Sequence, residues 1–416
     1  MEKLAKPVQN FDELNRIATA MTKGYNKANI DLTNTQIAFA HKDDKALKKM
    51  AWLFKMMNKS WLVNVGSNLG VFAVKWNLPF AHSIVKKTIF EQFCGGTTLL
   101  QSQPSITQLY EYGTLSILDY GAEAKSTEED FNKTMNETIR AIDFAATNAS
   151  VPVVSSKISG LARFELLEKI SANVELNSVE QEEYKNILKR VDSICYHASK
   201  KRVGVFFDAE ESWIQDAIDN LVNKMMHRYN KKEVFVYNTF QMYRHDRLQF
   251  LIDSFTKAKK EGYLLGAKLV RGAYMIKERE RAEEMGYPSP IHPNKAATDD
   301  AYNMAIRFCL DNYKEIASCN ASHNAESVQL QADLIAHKGI TPNHKHLNFC
   351  QLYGMSDHLT FNLAAAGYNV AKYVVYGPVK EVLPYLVRRA QENSSVTGDM
   401  SRELGLIMQE VKRRGL

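Results

Sequence analysis

Tyr373-Val-Val-Tyr-Gly-Pro-Val-Lys-Glu-Val-Leu-Pro-Tyr-Leu-Val-Arg-Arg-Ala-Gln-Glu-Asn393 is the stretch on which the reading of this chain turns. It continues a β-branched and aromatic run that begins at Val370, so 370–375 reads as a strand. Gly377-Pro378 breaks that run. Pro384 suits the first turn of a helix, where a missing N–H is harmless, and the spacing predicts a helix over 383–393. Arg388 and Glu392 stand four apart and Arg389 and Glu392 three apart, so all three can share a face. Two adjacent guanidinium groups beside a carboxylate make a fork suited to clamping another carboxylate. Tyr385, one turn earlier, can cover that fork with a flat, part-polar ring. Taken alone, the helix reads first as a solvated face with i,i+4 pairs, because exposed charge runs are common.

Seven similar units precede it. Short apolar runs at 115–119, 151–158, 203–207, 234–238, 267–270, 316–320 and 346–349 alternate with helix-periodic segments at 127–149, 180–200, 210–229, 241–261, 295–313, 325–337 and 356–366. Strand–helix alternation implies a parallel sheet, and eight units over about 280 residues fit a closed, distorted (β/α)₈ TIM-type barrel of the α/β class. An open doubly wound sheet is the alternative. It is weaker because no G-x-G-x-x-G follows any strand. The expected division is a helical arm over 1–113 and a barrel over 114–416. Within the arm, 33–58 carries good helix formers with Ile37, Ala40, Leu47, Met50, Leu53, Phe54 and Met57 in a stripe. The apolar 61–76 segment reads as a buried helix, and 79–94 as another.

The chain has 416 residues, 45% hydrophobic and 24% charged, the balance of a soluble globular protein. Its net charge of +6 is mild, and no dense basic tract with interleaved aromatics appears, so no nucleic-acid partner is expected. Preference for anionic ligands, or for an anionic membrane surface touched peripherally, is the better meaning. Five cysteines show no C-x-x-C and no metal-like spacing, so they read as reduced structural thiols in a cytosol-like compartment, with no metal site. The N-terminus shows no apolar signal core and no Arg/Ser-rich presequence, and no apolar run reaches the ~18 residues of a membrane span. The expected location is cytoplasmic, with peripheral contact at an inner membrane. A mitochondrial location would need a presequence that this stretch does not show.

In a barrel the chemistry gathers where strands end. Asp119, Lys157, Asp208, Asn238, Arg271, His323 and Tyr373 fall there. Each has a plain alternative. Asp208 could cap the next helix, His323-Asn324 could be ordinary turn residues, and Lys157 could be a surface lysine. Lys157, however, lies inside Val153-Val-Ser-Ser-Lys-Ile-Ser-Gly160, where a buried ammonium needs a partner.

Five motifs then carry a resemblance: Phe207-Asp-Ala-Glu210, Lys268-Leu-Val-Arg-Gly-Ala-Tyr274, Ser322-His-Asn-Ala325, Gln351-Leu-Tyr-Gly-Met355 and Tyr385-Leu-Val-Arg-Arg-Ala-Gln-Glu-Asn393. In this order, on successive units over roughly 115–397, they resemble the proline dehydrogenase family of flavoenzymes, in its monofunctional, eukaryotic-like branch. The resemblance implies non-covalent FAD without a Rossmann turn. It also implies oxidation of L-proline to Δ1-pyrroline-5-carboxylate, the first step of proline catabolism, with electrons passed to a quinone. Arg388 and Arg389 would grip the substrate carboxylate and Glu392 would hold them. Lys157 and Asp208 would line the pocket, Asp119 would pair with Lys157, and Glu123 would reach Arg389 as a gate. Tyr373 would pack on the proline ring, with Tyr385 and Ala273 beside the substrate. Asn238, where many members carry Gln, would meet the flavin, as would Ala209, Lys268, Arg271, Gly272 and Ala273. Ser322 and His323 would contact the rest of FAD. Asp208, Lys268, Lys157 and Tyr373 are the expected catalytic set. The chain departs from the family pattern at Lys268 (often Arg), Met275 (aromatic in some members) and Ser322 (elsewhere Thr). Members that prefer 4-hydroxyproline tend to carry a small residue where this chain has Tyr373. Two other readings stay open from the residues themselves: a barrel aldolase using Lys157 as a Schiff base, and a non-catalytic binder of anionic surfaces.

Overall fold

The computed structural model describes residues 27–59, 76, 81–121, 126–394 and 399–416. The arm opens with α1 (Thr35–Ala38) and α2 (Asp44–Met57), continues through helical turns at Ala81–Val85, Lys86–Phe90 and Glu91–Phe93, and reaches a short strand, β1 (Cys94–Gly96). The single helix expected over 33–58 is two. Asp43 ends the gap between them, its side chain accepting the Ala46 N–H at 2.6 Å as an N-cap. The expected helix at 61–76 falls almost wholly outside the described residues.

After α3 (Leu99–Glu111) the chain alternates: β2 (Leu115–Tyr120), α4 (Glu128–Ala146), β3 (Val153–Ser156), α5 (Phe164–Ser171), α6 (Ser178–Lys201), β4 (Gly204–Phe207), α7 (Ser212–Tyr229), β5 (Val236–Gln241), α8 (Arg247–Glu261), β6 (Leu265–Val270), α9 (Met275–Met285), α10 (Lys295–Asp311), β7 (Ile316–Ala321), α11 (Ala325–His337), β8 (Leu347–Leu352), α12 (Asp357–Ala365), β9 (Val370–Tyr376), α13 (Val379–Ser394) and α14 (Asp399–Arg413). Strands β2 to β9 are parallel and close into a barrel, because β9 pairs with both β2 and β8. The closure is distorted at one place. β8 pairs with β9 only as far as Tyr373, and β1 takes over that edge at Val375 and Tyr376.

Two of the eight expected boundaries moved in ways that matter. β5 ends at Gln241 rather than 238. α13 starts at Val379, so Pro384 lies inside it. Pro378 stands at its head, its carbonyl accepting Glu381 N–H at 2.8 Å and Val382 N–H at 3.1 Å. Pro384 therefore removes one rung of the helix instead of opening it.

Period-two alternation sorts the side chains. Ile117, Phe206, Tyr237, Ala317, Cys319, Cys350, Ala371, Tyr373 and Val375 fill the barrel, with Tyr385, Leu386 and Ala390 of α13 joining them across its mouth. Leu118, Val154, Val205, Phe240, Leu269, Phe349 and Val374 face the helical layer. A third cluster joins the arm to the last helix: Phe39, Leu47, Met50 and Phe54 pack on Ile407 and Val411. Arg414 fastens that contact, donating to the carbonyls of Phe39 and Lys42, both at 2.8 Å, and to Glu410 at 2.8 Å. All five cysteines are unpaired and buried. Among the described residues no helix is long and apolar enough to cross a membrane.

Gly266 shows how tightly the barrel is filled. A Cβ there would lie 2.3 Å from the Val236 carbonyl oxygen and 2.9 Å from Tyr237 Cα. Both are backbone atoms of the neighbouring strand, so neither can step aside alone. Gly266→Ala is expected to lower the free energy of unfolding by about 1–3 kcal/mol, the usual cost of overpacking. Denaturant titration checks it, and wild-type stability would contradict the placement of β6 against β5.

Candidate active site

β4 carries Phe206 into the barrel and Phe207 outward, so Asp208 just beyond it turns inward. There it is the hub of a polar cluster drawn from four strands. Lys268 from β6 places Nζ 2.6 Å from Oδ1, and Ser155 from β3 donates to the same oxygen at 3.0 Å. Tyr373 from β9 donates to Oδ2 at 2.7 Å, and Lys157 reaches it at 3.4 Å. Lys157 also lies 3.6 Å from Asp119 at the end of β2. Thus two ammonium groups are matched by two carboxylates. Burial by itself would push the Asp208 carboxyl up, but Lys268 and Lys157 outweigh it and hold the group well below the usual carboxylate range. Tyr373 goes the other way: burial, with Asp119 and Asp208 nearby, keeps its phenol protonated as a donor. The Lys268 ammonium also sits 4.7 Å from the centre of the Tyr373 ring. Asp208 is not a helix cap; α7 begins four residues later with Glu211 at its N-cap position.

α13 lies over this cluster. Tyr385 is buried among Ala371, Tyr373 and Val375, and the Arg389 guanidinium stacks 5.3 Å from its ring centre. Arg389 is buried and Arg388 half-buried. Arg388 also lies close enough to influence Tyr274. Arg389 and its covering ring are therefore together at the mouth. Glu392 lies on the same helix with its side chain outside the described residues, as is Glu123.

The next arc of the rim is rich in donors. Arg271 after β6 stacks on Tyr302 at 4.4 Å and is held by Asp299 at 2.7 Å, Ser322 at 2.7 Å and Ser327 at 2.9 Å. Gly272 and Ala273 follow, both exposed. Gly272 has φ 139, and a Cβ there would lie 2.5 Å from the Tyr243 ring, so the turn needs glycine. Ala209 is half-buried beside Asp208. His323 takes Ser356 Oγ at Nδ1, 2.9 Å away. Burial, reinforced by Lys372 and Arg389, pushes it down to about 3, so its imidazole is neutral.

Asn238 is the one expected rim residue that the fold turns away. Its amide donates outward to Asp219 of α7 at 2.8 Å, and Asp219 is in turn held by Arg247 at 2.6 Å. The reason is register: three residues later on β5, Gln241 is the buried amide at the strand end. Its Nε2 donates to the Glu210 carbonyl at 2.7 Å. Glu210, also unforeseen, accepts the Ser159 N–H at 2.9 Å and so braces the turn after Lys157. Burial pushes Glu210 up to about 7. Ser155 was the third omission. Strict alternation from Lys157 back along β3 would have found it.

The sequence profile described as "Proline dehydrogenase" matches residues 102–402. The chain is 40% identical over 245 residues to "Proline dehydrogenase 1, mitochondrial" of Drosophila melanogaster, covering 56% of this chain and 36% of that one. To the Caenorhabditis elegans protein of the same description it is 33% identical over 348 residues, covering 81% and 56%. The chain thus aligns with only about a third to just over half of those relatives' length. Among solved structures, proline utilization A (PutA) from Bdellovibrio bacteriovorus superposes with a TM-score of 0.69 at 20% identity, over 96% of this chain and 43% of that one. With the motifs, the barrel and the rim cluster in place, the match over most of its length shows that this chain belongs to the proline dehydrogenase family.

Proposed function

We propose that this chain oxidises L-proline to Δ1-pyrroline-5-carboxylate with FAD as cofactor and a quinone as the next electron acceptor. The observation that supports it most is the convergence of Asp208, Lys157, Lys268 and Tyr373 beneath an arginine pair. A small rigid amino acid would lie between a clamp for its carboxylate and a charge-matched floor in which Asp208 is the ionised carboxylate paired with Lys157 and Lys268. The donor set of the rim suits a flavin nucleotide: Lys268, Arg271, the exposed backbone at Gly272 and Ala273, the neutral His323 and Ser322 can serve its ring edge and phosphates. Gln241 replaces Asn238 in that set, and Ala209 borders it. When bound, FAD supplies the hydride acceptor.

The chain's own residues do the rest. Arg388 and Arg389 fix the far end of the substrate by its carboxylate, which orients the C–H bond next to the ring nitrogen. Tyr373 and Tyr385 pack on the ring and exclude water. Hydride departure leaves positive charge on the nitrogen, so the amine must be neutral beforehand. Asp208, held ionised, then opposes the charge that develops. Lys157 and Lys268 keep Asp208 ionised and in place. The purified protein should show a flavin spectrum that L-proline bleaches and a soluble quinone restores. A colourless protein trapped by borohydride on an oxo substrate would point to Schiff-base chemistry at Lys157 instead. A bleached flavin that quinones do not reoxidise would overturn the acceptor alone. Quinones dissolve in bilayers, so contact with a membrane would be peripheral, and co-sedimentation with anionic vesicles at low salt is expected.

Arg388→Met and Arg389→Met are each expected to weaken use of proline by roughly 10- to 150-fold in kcat/KM, since a charge-assisted bond to a carboxylate is worth about 1.5–3 kcal/mol. Steady-state kinetics decide, and wild-type values in either variant would remove the clamp.

Tyr373 fills the space that a 4-hydroxyl would need, and its own hydroxyl is committed to Asp208. Burying a ring hydroxyl without a partner costs on the order of 1–3 kcal/mol. The wild type should therefore favour L-proline over trans-4-hydroxy-L-proline by at least about tenfold. Tyr373→Ser should narrow that ratio, mainly by losing proline activity to the cavity it creates. An unchanged ratio in the serine variant would show that Tyr373 does not face the substrate ring.

A further inference from the structure

Ser356 is a non-glycine residue in the left-handed region, with φ 52 and ψ 43, at the N-cap position of α12. An N-cap serine is ordinarily extended, with its hydroxyl on the amides of the first turn. Ser356 makes no such bond. Its Oγ lies instead 2.9 Å from His323 Nδ1, and its backbone N–H donates to Glu403 Oε1 at 2.5 Å. A strained backbone persists where the surroundings over-determine it, and here they do. The Gly354 carbonyl accepts Gln92 Nε2 at 2.8 Å, ahead of β1. Lys372 of β9 donates to the Met355 carbonyl at 2.5 Å and pairs with Asp357 at 2.8 Å. Glu403 of α14 completes the set. Three distant segments thus hold four consecutive residues, and the group they aim outward is one hydroxyl on one imidazole. Ser322, the neighbour of that imidazole, bonds Arg271 on the rim at 2.7 Å.

We propose that Glu403 and Ser356 are positioning residues for the cofactor side of this site, fixing the ring plane and tautomer of His323 from the last helix of the chain. The proposal rests on the flavin reading above. His323 is neutral, so its single ring proton has two positions; the Ser356 hydroxyl has no other acceptor among the described residues, so it donates to Nδ1 and leaves the ring proton on Nε2. Neither Glu403 nor Ser356 need touch the cofactor. Their role is read through His323, as with outer partners that orient a ligating histidine. α14 then has a chemical reason to be docked.

The test uses the full chain, with and without FAD. In ¹⁵N histidine spectra the wild-type His323 should show one tautomer. Glu403→Ala and Ser356→Gly should each give a mixture. The glycine keeps the left-handed backbone at no steric cost, so it reports even if the alanine variant folds poorly. Glu403→Gln keeps the side-chain carbonyl as acceptor and should restore the single tautomer. FAD affinity, followed by quenching of flavin fluorescence, should fall roughly three- to tenfold in Glu403→Ala, the range of one ordinary hydrogen bond. It should fall no further when Glu403→Ala is added to His323→Ala. A wild-type His323 spectrum in both Glu403→Ala and Ser356→Gly overturns the proposal, as do equal losses of affinity in the two histidine backgrounds. If the tautomer shifts as expected but the wild type binds no FAD, the flavin reading fails and the Glu403–Ser356–His323 relay stands.

Discussion

One half-buried carboxylate organises the barrel's open end. Asp208 accepts from two ammonium groups and two hydroxyls that arrive on β3, β6 and β9 and in the turn after β3. No subset of those groups could be left there alone, because an unpaired buried charge is far costlier than a paired one. The cluster therefore assembles only when the barrel closes, with β9 meeting β2 on one side and β8 on the other. Charge matching, with Asp119 as the second anion, lets a lysine-rich site exist inside an otherwise apolar barrel.

Strand alternation gives some inward-facing positions an outward neighbour with its own polar duty. Beside Tyr373, Lys372 turns to the helical layer and pairs with Asp357, which also meets His41 of the arm at 3.4 Å. Burial would push Asp357 up, yet Lys372 and His41 hold it well below the usual range. Near Thr239, Asn238 turns to Asp219 and Arg247. The layer between strands and helices is thus pinned by a few satisfied polar contacts. These fix how each helix sits over its strand.

The eight strands were legible because β-branched and aromatic runs at regular spacing leave few alternatives. Lys157, Asp208 and Tyr373 were legible as polar residues near the ends of those runs, the α13 arginines through their helical spacing from Glu392, and Lys268 only through its motif. What misled was polarity inside a strand. β5 reads Val-Tyr-Asn-Thr-Phe-Gln, and its apolar opening suggested an end at Asn238, although pairing with β6 continues to Gln241. Proline misled similarly at α13, where Pro384 looked like a first-turn residue although Pro378 already supplied the start. α14 carries its apolar residues for a partner some 350 positions away in sequence. No local pattern could name α2 as that partner, and so the route from Glu403 through Ser356 to His323 was invisible.

That long-range pairing has a consequence for how the molecule is made. Phe39, Leu47, Met50 and Phe54 are made some 350 residues before the residues that cover them, Ile407 and Val411. At about 5–20 residues per second, the interval is roughly 20–70 s. Through that time the apolar face of α2 has no native partner on that side, and β1 has no β9 to join. Until α14 emerges, that apolar face is thus open to a ribosome-associated chaperone.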